Sequence, residues 1–269
     1  MYQKIYLDDF ESQHKNKQAL VFLHGWGFHS GVFQKLISAF SLPEHFSITL
    51  IDLPGFKERP TLNFPKDYLL EMIKIILQRT PKKSVWIGWS LGGLIAMQAA
   101  YLFPERVMGC VTVASSPKFL QAENWPGLSP EIFNKFCTRL QENVKTTLTA
   151  FLHLQKSLQW GTKNDKITLR FLKDCLLSRS LPSPFSLKIG LDILQTTDLR
   201  HEISGIRCPM LCFFGEQDAL IPVAVRNEIT QLAPHIETRC IPKQGHGGFL
   251  TEPSFVLKEI EHFLNVHHF

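Results

Sequence analysis

Ser90 stands in Gly88-Trp89-Ser90-Leu91-Gly92, a GxSxG pattern that follows the apolar run Val85–Trp89 and precedes the helical pattern Leu91–Leu102. A serine on a tight strand-to-helix turn is the setting of a nucleophile elbow. Glycines flank such a serine because the turn leaves little room for Cβ atoms. The hydroxyl is then held at a helix N-terminus, where backbone N–H groups and the dipole favour developing negative charge. A serine also needs a base, and the elbow order places an acid and then a histidine downstream. Asp218, in Gly215-Glu216-Gln217-Asp218, comes just after an apolar strand pattern ending at Phe214. His246 follows the next strand pattern, in Gly245-His246-Gly247-Gly248. The intervals are 128 and 28 residues: the first has room for an inserted segment, the second fits one helix and one strand. Two N–H groups are expected to hold an oxyanion, that of Leu91 and that of Trp26 in Leu23-His24-Gly25-Trp26-Gly27. The plain alternatives are a glycine turn with an inert serine and a turn with a packing tryptophan.

Rival groups fit less well. Asp192 and Asp198 fall in or at the exit of a helical stretch, and Glu216 neighbours Asp218 but should point elsewhere. His235 reads as a surface loop residue, and His267 and His268 as a frayed tail rather than a metal site.

The elements that must position these groups follow from hydrophobic periodicity. Candidate strands are Ala19–Leu23, Phe46–Ile51, Val85–Trp89, Val107–Ala114, Pro209–Gly215 and Ile236–Ile241. Helices are expected at Tyr68–Leu77, Leu91–Leu102 and about Ser254–Leu264. Strands alternating with helices imply an α/β fold, a mostly parallel sheet with helices on both faces. Carboxylate and histidine at strand C-terminal ends would share the rim with Ser90, where such sheets bind ligands. Between Lys118 and Ser204 the strand pattern vanishes, broken by Trp125-Pro126-Gly127 and Leu181-Pro182-Ser183-Pro184. The expected organisation is a core of residues 1–117 and 205–269 interrupted by a helical cap, 118–204, lying as a lid over Ser90.

Composition narrows the function. The chain has 269 residues, 44% apolar and 20% charged, in the range of globular proteins rather than disordered or fibrous ones. The net charge is +5 with scattered basic residues, so a nucleic-acid partner is not expected. Cys110, Cys137, Cys175, Cys208, Cys212 and Cys240 form no CxxC, and Cys110 and Cys212 sit in apolar runs as buried thiols. No signal-peptide core and no membrane-length apolar run is read, so a cytoplasmic protein without a membrane partner is expected, a monomer. No metal or other cofactor is called for.

These residues resemble the α/β-hydrolase superfamily over nearly the whole chain. LHGWG, IDLPGF, GWSLGGL, PERV, VTVASSP, WPG and TTDLR are together similar to the esterases that cleave pimeloyl-acyl-carrier-protein methyl ester in biotin synthesis. The resemblance implies a triad at Ser90, Asp218 and His246. It implies substrate binding by Trp26, Ser90, Leu91 and the cap segment Phe151-Leu152-His153-Leu154-Gln155. It further implies an acyl carrier protein as partner, met by basic cap residues whose counterparts are Lys166, Arg170 and Lys173. The sequence departs from the family at Lys57-Glu58-Arg59, at Gly247-Gly248 after the histidine, and near Thr146–Ala150, where a basic position is lost though Lys145 is close.

At 100° per residue Lys166, Arg170 and Lys173 fall within an arc of about 60°. Ile167, Leu169, Phe171, Leu172 and Leu176 are expected to occupy the opposite, inward arc, which makes the ridge either a docking face or simply a solvated one. The same machinery would serve a broad short-chain carboxylesterase, a thioesterase, a hydrolase of carbon–carbon bonds, or, if idle, a ligand-binding protein.

Overall fold

The computed structural model describes residues 17–39, 46–55, 67–155 and 163–269. Lys57, Glu58 and Arg59 lie outside the described residues. In chain order the elements are β1 (Gln18–Leu23), a 3-10 turn (Ser30–Phe33), α1 (Gln34–Ser38), β2 (Phe46–Ile51), α2 (Tyr68–Leu77), β3 (Ser84–Trp89), α3 (Leu91–Leu102) and β4 (Val107–Val113). Four helices follow, α4 (Pro130–Glu142), α5 (Val144–Leu154), α6 (Lys163–Leu177) and α7 (Pro184–Thr196). After a second 3-10 turn (Ile203–Gly205) come β5 (Met210–Gly215), α8 (Val225–Leu232), β6 (Glu237–Ile241), α9 (Gly248–Thr251) and α10 (Pro253–Val266).

The six strands form one sheet in the order β2-β1-β3-β4-β5-β6, every pair parallel. Every residue of β3 and of β5 is buried. Successive side chains point to opposite faces of a strand, so both faces of the sheet are covered there. That is why these strands read as unbroken apolar runs. α3, apolar nearly all round and almost wholly buried, packs on β1, β3 and β4. α2 shows the other helical pattern. Asp67 caps it by accepting from the Leu70 N–H, and Leu69, Met72, Ile73, Ile76 and Leu77 form its buried stripe.

The chain leaves β1, forms β2 on one side, and crosses back to form β3 on the other. This reversal opens a crevice at the C-terminal ends of β1 and β3. The pairing of Leu23 with Gly88 sets the loop after β1 beside the turn after β3. The helices α4–α7 fill the interval between β4 and β5. The two ends of that interval are tied together. The Leu199 N–H donates to the Pro117 carbonyl at 2.8 Å, and Lys118 pairs with Asp198 at 3.0 Å. Arg200 also binds Asp198, at 2.8 Å, and lies over the Trp125 ring. The hydrogen bonds from Arg200 and Lys118 hold the Asp198 carboxyl well below its ordinary range, against a smaller opposing effect of burial.

Two expectations need correction. Ile167 does not face inward: it is 48% exposed, and the buried face of α6 is Thr168, Leu172, Cys175 and Leu176. At 100° per residue the buried residues of α6 centre about 225° from Lys166, and Ile167 lies about 125° away from that centre. Nor is the C-terminus frayed. His267 hydrogen-bonds Glu237 at 3.1 Å and packs edge-on against Phe263, while Phe269 closes over Gly109. All six cysteines are free, and burial pushes the Cys212 thiol up to about 12.

Candidate active site

Ser90 sits between β3 and α3 with φ 55° and ψ −118°, a conformation that a non-glycine residue adopts only when its surroundings enforce it. Here the Ser90 N–H donates to the Val113 carbonyl at 2.9 Å, and the Ser115 hydroxyl donates to the Ser90 carbonyl at 2.8 Å. The flanking glycines are required by close approach. A Cβ on Gly92 would lie 2.1 Å from the Leu23 carbonyl oxygen, and one on Gly88 would lie 2.3 Å from that of Gly92. Leu91 is the first residue of α3, so its N–H has no carbonyl one turn earlier to bind.

Trp26 lies in a turn closed by the Phe28 N–H donating to the Gly25 carbonyl. His24 braces this loop from below. Its Nδ1–H donates to the Gly25 carbonyl at 2.9 Å, and its Nε2 accepts the Leu53 N–H at 2.9 Å. One partner can only accept and the other only donate, which fixes the neutral tautomer. Burial lowers the His24 pKa to about 4.

Asp218 and His246 come from the loops after β5 and β6, and both side chains are fully buried. The His246 Nδ1–H donates to Asp218 Oδ2 at 2.8 Å. Asp218 Oδ1 accepts the N–H groups of Leu220 and Ile221 at 2.8 and 3.0 Å, so the carboxylate is anchored before it meets the ring. The His246 Nε2 is buried and makes no hydrogen bond. It is therefore the ring nitrogen left without a partner on the side away from Asp218. Glu216 turns away, accepting the Lys243 N–H. Among the described residues no group of three or more His, Cys, Asp or Glu is placed to hold a metal ion.

Ser90 opens into a narrow apolar cavity. Its walls include Trp26, Ile132, Phe136, Phe151, Leu154 and Leu191, drawn from the loop after β1 and from α4, α5 and α7. The structure brings Phe151 and Leu154 into this wall. Leu152 is buried but outside the lining, and His153 is exposed on the outer side of α5. Gln155 is buried beneath the helix end, where its carbonyl accepts the Gly247 N–H at 3.1 Å. Lys166, Arg170 and Lys173 are exposed on α6, with Arg170 3.8 Å from Asp174, and none of them lines the cavity.

Some of the supports were not found in the sequence. The Trp89 indole N–H donates to the His246 carbonyl at 3.0 Å, so the residue before the serine fixes the loop of the histidine. In the sequence Ser115 stands out only as part of VTVASSP. Asp52, at the end of β2, accepts the Ser30 N–H and hydroxyl at 2.9 and 2.7 Å and pairs with Arg179 at 2.7 Å. Burial alone would raise its pKa, but these partners hold it well below the usual carboxylate range.

Residues 18–253 match the family model described as alpha/beta hydrolase fold. A protein of Yersinia enterocolitica named pimeloyl-[acyl-carrier protein] methyl ester esterase is 39% identical over 234 residues, covering 87% of this chain and 88% of that protein. One of the same name from Vibrio parahaemolyticus is 35% identical over 248 residues, 91% of this chain and 93% of that one. An esterase from Exiguobacterium antarcticum superposes with a TM-score of 0.79 at 18% identity, over 93% of this chain and 92% of its own, which shows the shared fold. The chain thus belongs to the alpha/beta hydrolase fold family, and within it to the family of the pimeloyl-[acyl-carrier protein] methyl ester esterases.

Proposed function

We propose that this chain is a serine esterase that hydrolyses the methyl ester at the far end of a pimeloyl chain held on acyl carrier protein, releasing methanol and the free acid, in biotin synthesis. The observation that carries the reading is the fully buried Asp218–His246 pair behind an elbow serine that lines an apolar cavity. The names of the 35–39% identical relatives supply the substrate.

Ser90 Oγ attacks the ester carbonyl as His246 Nε2 takes its proton. Asp218 keeps the imidazole oriented and stabilises the imidazolium. The N–H groups of Trp26 and Leu91 receive the oxyanion of the tetrahedral intermediate, a contribution worth about 10²–10³ in rate for each donor. As the carbonyl re-forms, His246 gives its proton to the departing methoxide. Water then attacks the acyl-enzyme, its proton passing to His246 and on to Ser90.

Residues 118–204 act as the cap, whose helices enclose the acyl chain so that its distal ester reaches Ser90. Ile132, 52% exposed, marks the open side of the cavity. Lys166, Arg170 and Lys173, exposed on α6 and outside the cavity lining, would meet the acidic carrier. The test is kcat/KM for the carrier-bound methyl ester against a free short-chain methyl ester. A clear preference for the first supports the reading. Equal values would favour a broad carboxylesterase.

A further inference from the structure

Gly190 lies buried in the middle of α7, where glycine is a poor helix former. A Cβ there would stand 2.6 Å from Cδ1 of the Trp26 indole, 3.1 Å from its Nε1 and 3.4 Å from Cδ2 of Leu91. Three residues earlier on the same helix, the Leu187 carbonyl accepts the Trp26 Nε1–H at 2.8 Å. Phe151 and Phe136 meet the same ring edge-on, at centroid distances of 5.0 and 5.2 Å. The indole is thus gripped between bare helix backbone and aromatic edges. Trp26 and Leu91 are the two residues whose N–H groups are assigned to the oxyanion.

We infer that Gly190 is a positioning residue of the oxyanion hole: through it α7 seats the Trp26 indole and the Leu91 side chain, and so sets both donors from the cap. The inference rests on the proposed assignment of those donors. A methyl group at position 190 cannot be accommodated by a flexible side-chain end, because the atom it meets is part of a rigid ring. The ring has to shift, and the Trp26 backbone shifts with it. Donors aimed at the transition state lose their effect with small misplacements, while the ground-state ester is held much as before. The contact from Gln155 to Gly247 does the corresponding work on the histidine side, so the inserted helices touch both halves of the machinery.

The experiment uses p-nitrophenyl acetate, whose acyl group is too short to probe the cavity, p-nitrophenyl octanoate, which fills it, and phenylboronic acid, which adds to the serine and places an oxygen in the hole. Gly190→Ala should lower kcat on the acetate ester about tenfold or more. It should raise Ki for the boronic acid in proportion and leave KM for acetate within about twofold. Trp26→Phe removes the bond to Leu187 and makes room, so adding Gly190→Ala to it should cost less than about twofold further. Unchanged acetate kcat in Gly190→Ala, a change confined to KM for octanoate, or an equal loss in the Trp26→Phe background would each overturn the inference. Should Gly190→Ala fail to fold, Trp26→Phe alone decides. A weaker Ki for the boronic acid supports the seat, and an unaltered one refutes it. Acetate hydrolysis surviving Ser90→Ala would instead sink the proposed triad, whatever Gly190 does.

Discussion

α4 and α6 are both amphipathic helices of the inserted segment, of 13 and 15 residues, and they are put to different uses. α4 gives Ile132, Phe133 and Phe136 to the cavity, and its charges, Glu131, Lys135, Arg139 and Glu142, sum to zero. α6 gives nothing to the cavity. Its outer face carries Lys166, Arg170 and Lys173 against Asp174. Its C-terminal end is fastened to the core instead: the His29 Nε2–H donates to the Cys175 carbonyl at 2.8 Å, and Arg179, two residues beyond the helix, binds Asp52. The helix that lines the cavity and the helix that offers charge are therefore separate. Selection of the chain and contact with a carrier should separate on mutation.

The largest effect removes the chemistry that both helices would serve. Ser90→Ala should cut kcat by a factor on the order of 10⁶. The loss should be alike for free and carrier-bound esters, measured by methanol release. A loss on one substrate only would break the idea of a shared centre. Phe151→Ala then tests the cavity side. Losing an aromatic wall should raise KM for octanoyl esters about tenfold, by the ~1.4 kcal/mol per decade of affinity, and leave acetyl esters near parent values. Equal change in both would make Phe151 ordinary core. On the α6 side, Arg170→Glu with Lys173→Glu should raise KM for carrier-bound substrate several-fold at low salt, fading by about 0.5 M salt as screening shortens. Small neutral esters should be untouched. If carrier-bound substrate is also unaffected, the ridge is a solvated face.

The smallest effect on activity at neutral pH, and the clearest on stability, comes from His24. Its folded pKa, about 4, lies below the unfolded value near 6.5, so the native state binds fewer protons between these limits. Its stabilising contribution is complete above about pH 6.5 and is lost as pH falls towards 4, amounting to about 3 kcal/mol. Thermal melts from pH 7 to pH 4.5 should show this decline. In His24→Asn the decline should flatten on a lower baseline, and an unflattened curve would remove His24 as the cause.

The strands could be read from sequence because β3 and β5, buried on both faces, leave continuous apolar runs. Asp218 stands just beyond such a run; β6 is only half-buried, and His246 shows in the sequence through the glycines around it. Gly190 could not be read from sequence. Its reason is a ring 164 residues away, and nothing in Leu187–Leu191 records it. Trp89 was hidden for the same cause, its partner being a backbone carbonyl after the last strand. The error at Ile167 has another origin: hydrophobicity alone counts it inward, whereas the helical wheel puts it about 125° from the centre of the face that Thr168, Leu172, Cys175 and Leu176 bury. His267 and His268 read as frayed because polar residues at a chain end look solvated. The anchors of this end, Glu237 and the space over Gly109, appear only in three dimensions.

The left-handed backbone at Ser90 sets function against durability. A serine held at φ 55° carries strain of about 1–3 kcal/mol that glycine would not feel. The proposed role of Ser90 gives a reason to retain it: the residue lines the cavity from the turn between β3 and α3. Ser90→Gly should therefore melt at a higher temperature than Ser90→Ala, both being inactive, because alanine keeps the strained Cβ and glycine does not. The most active arrangement of this chain is for that reason not its most stable one, and selection for heat resistance alone would be expected to erode the elbow first.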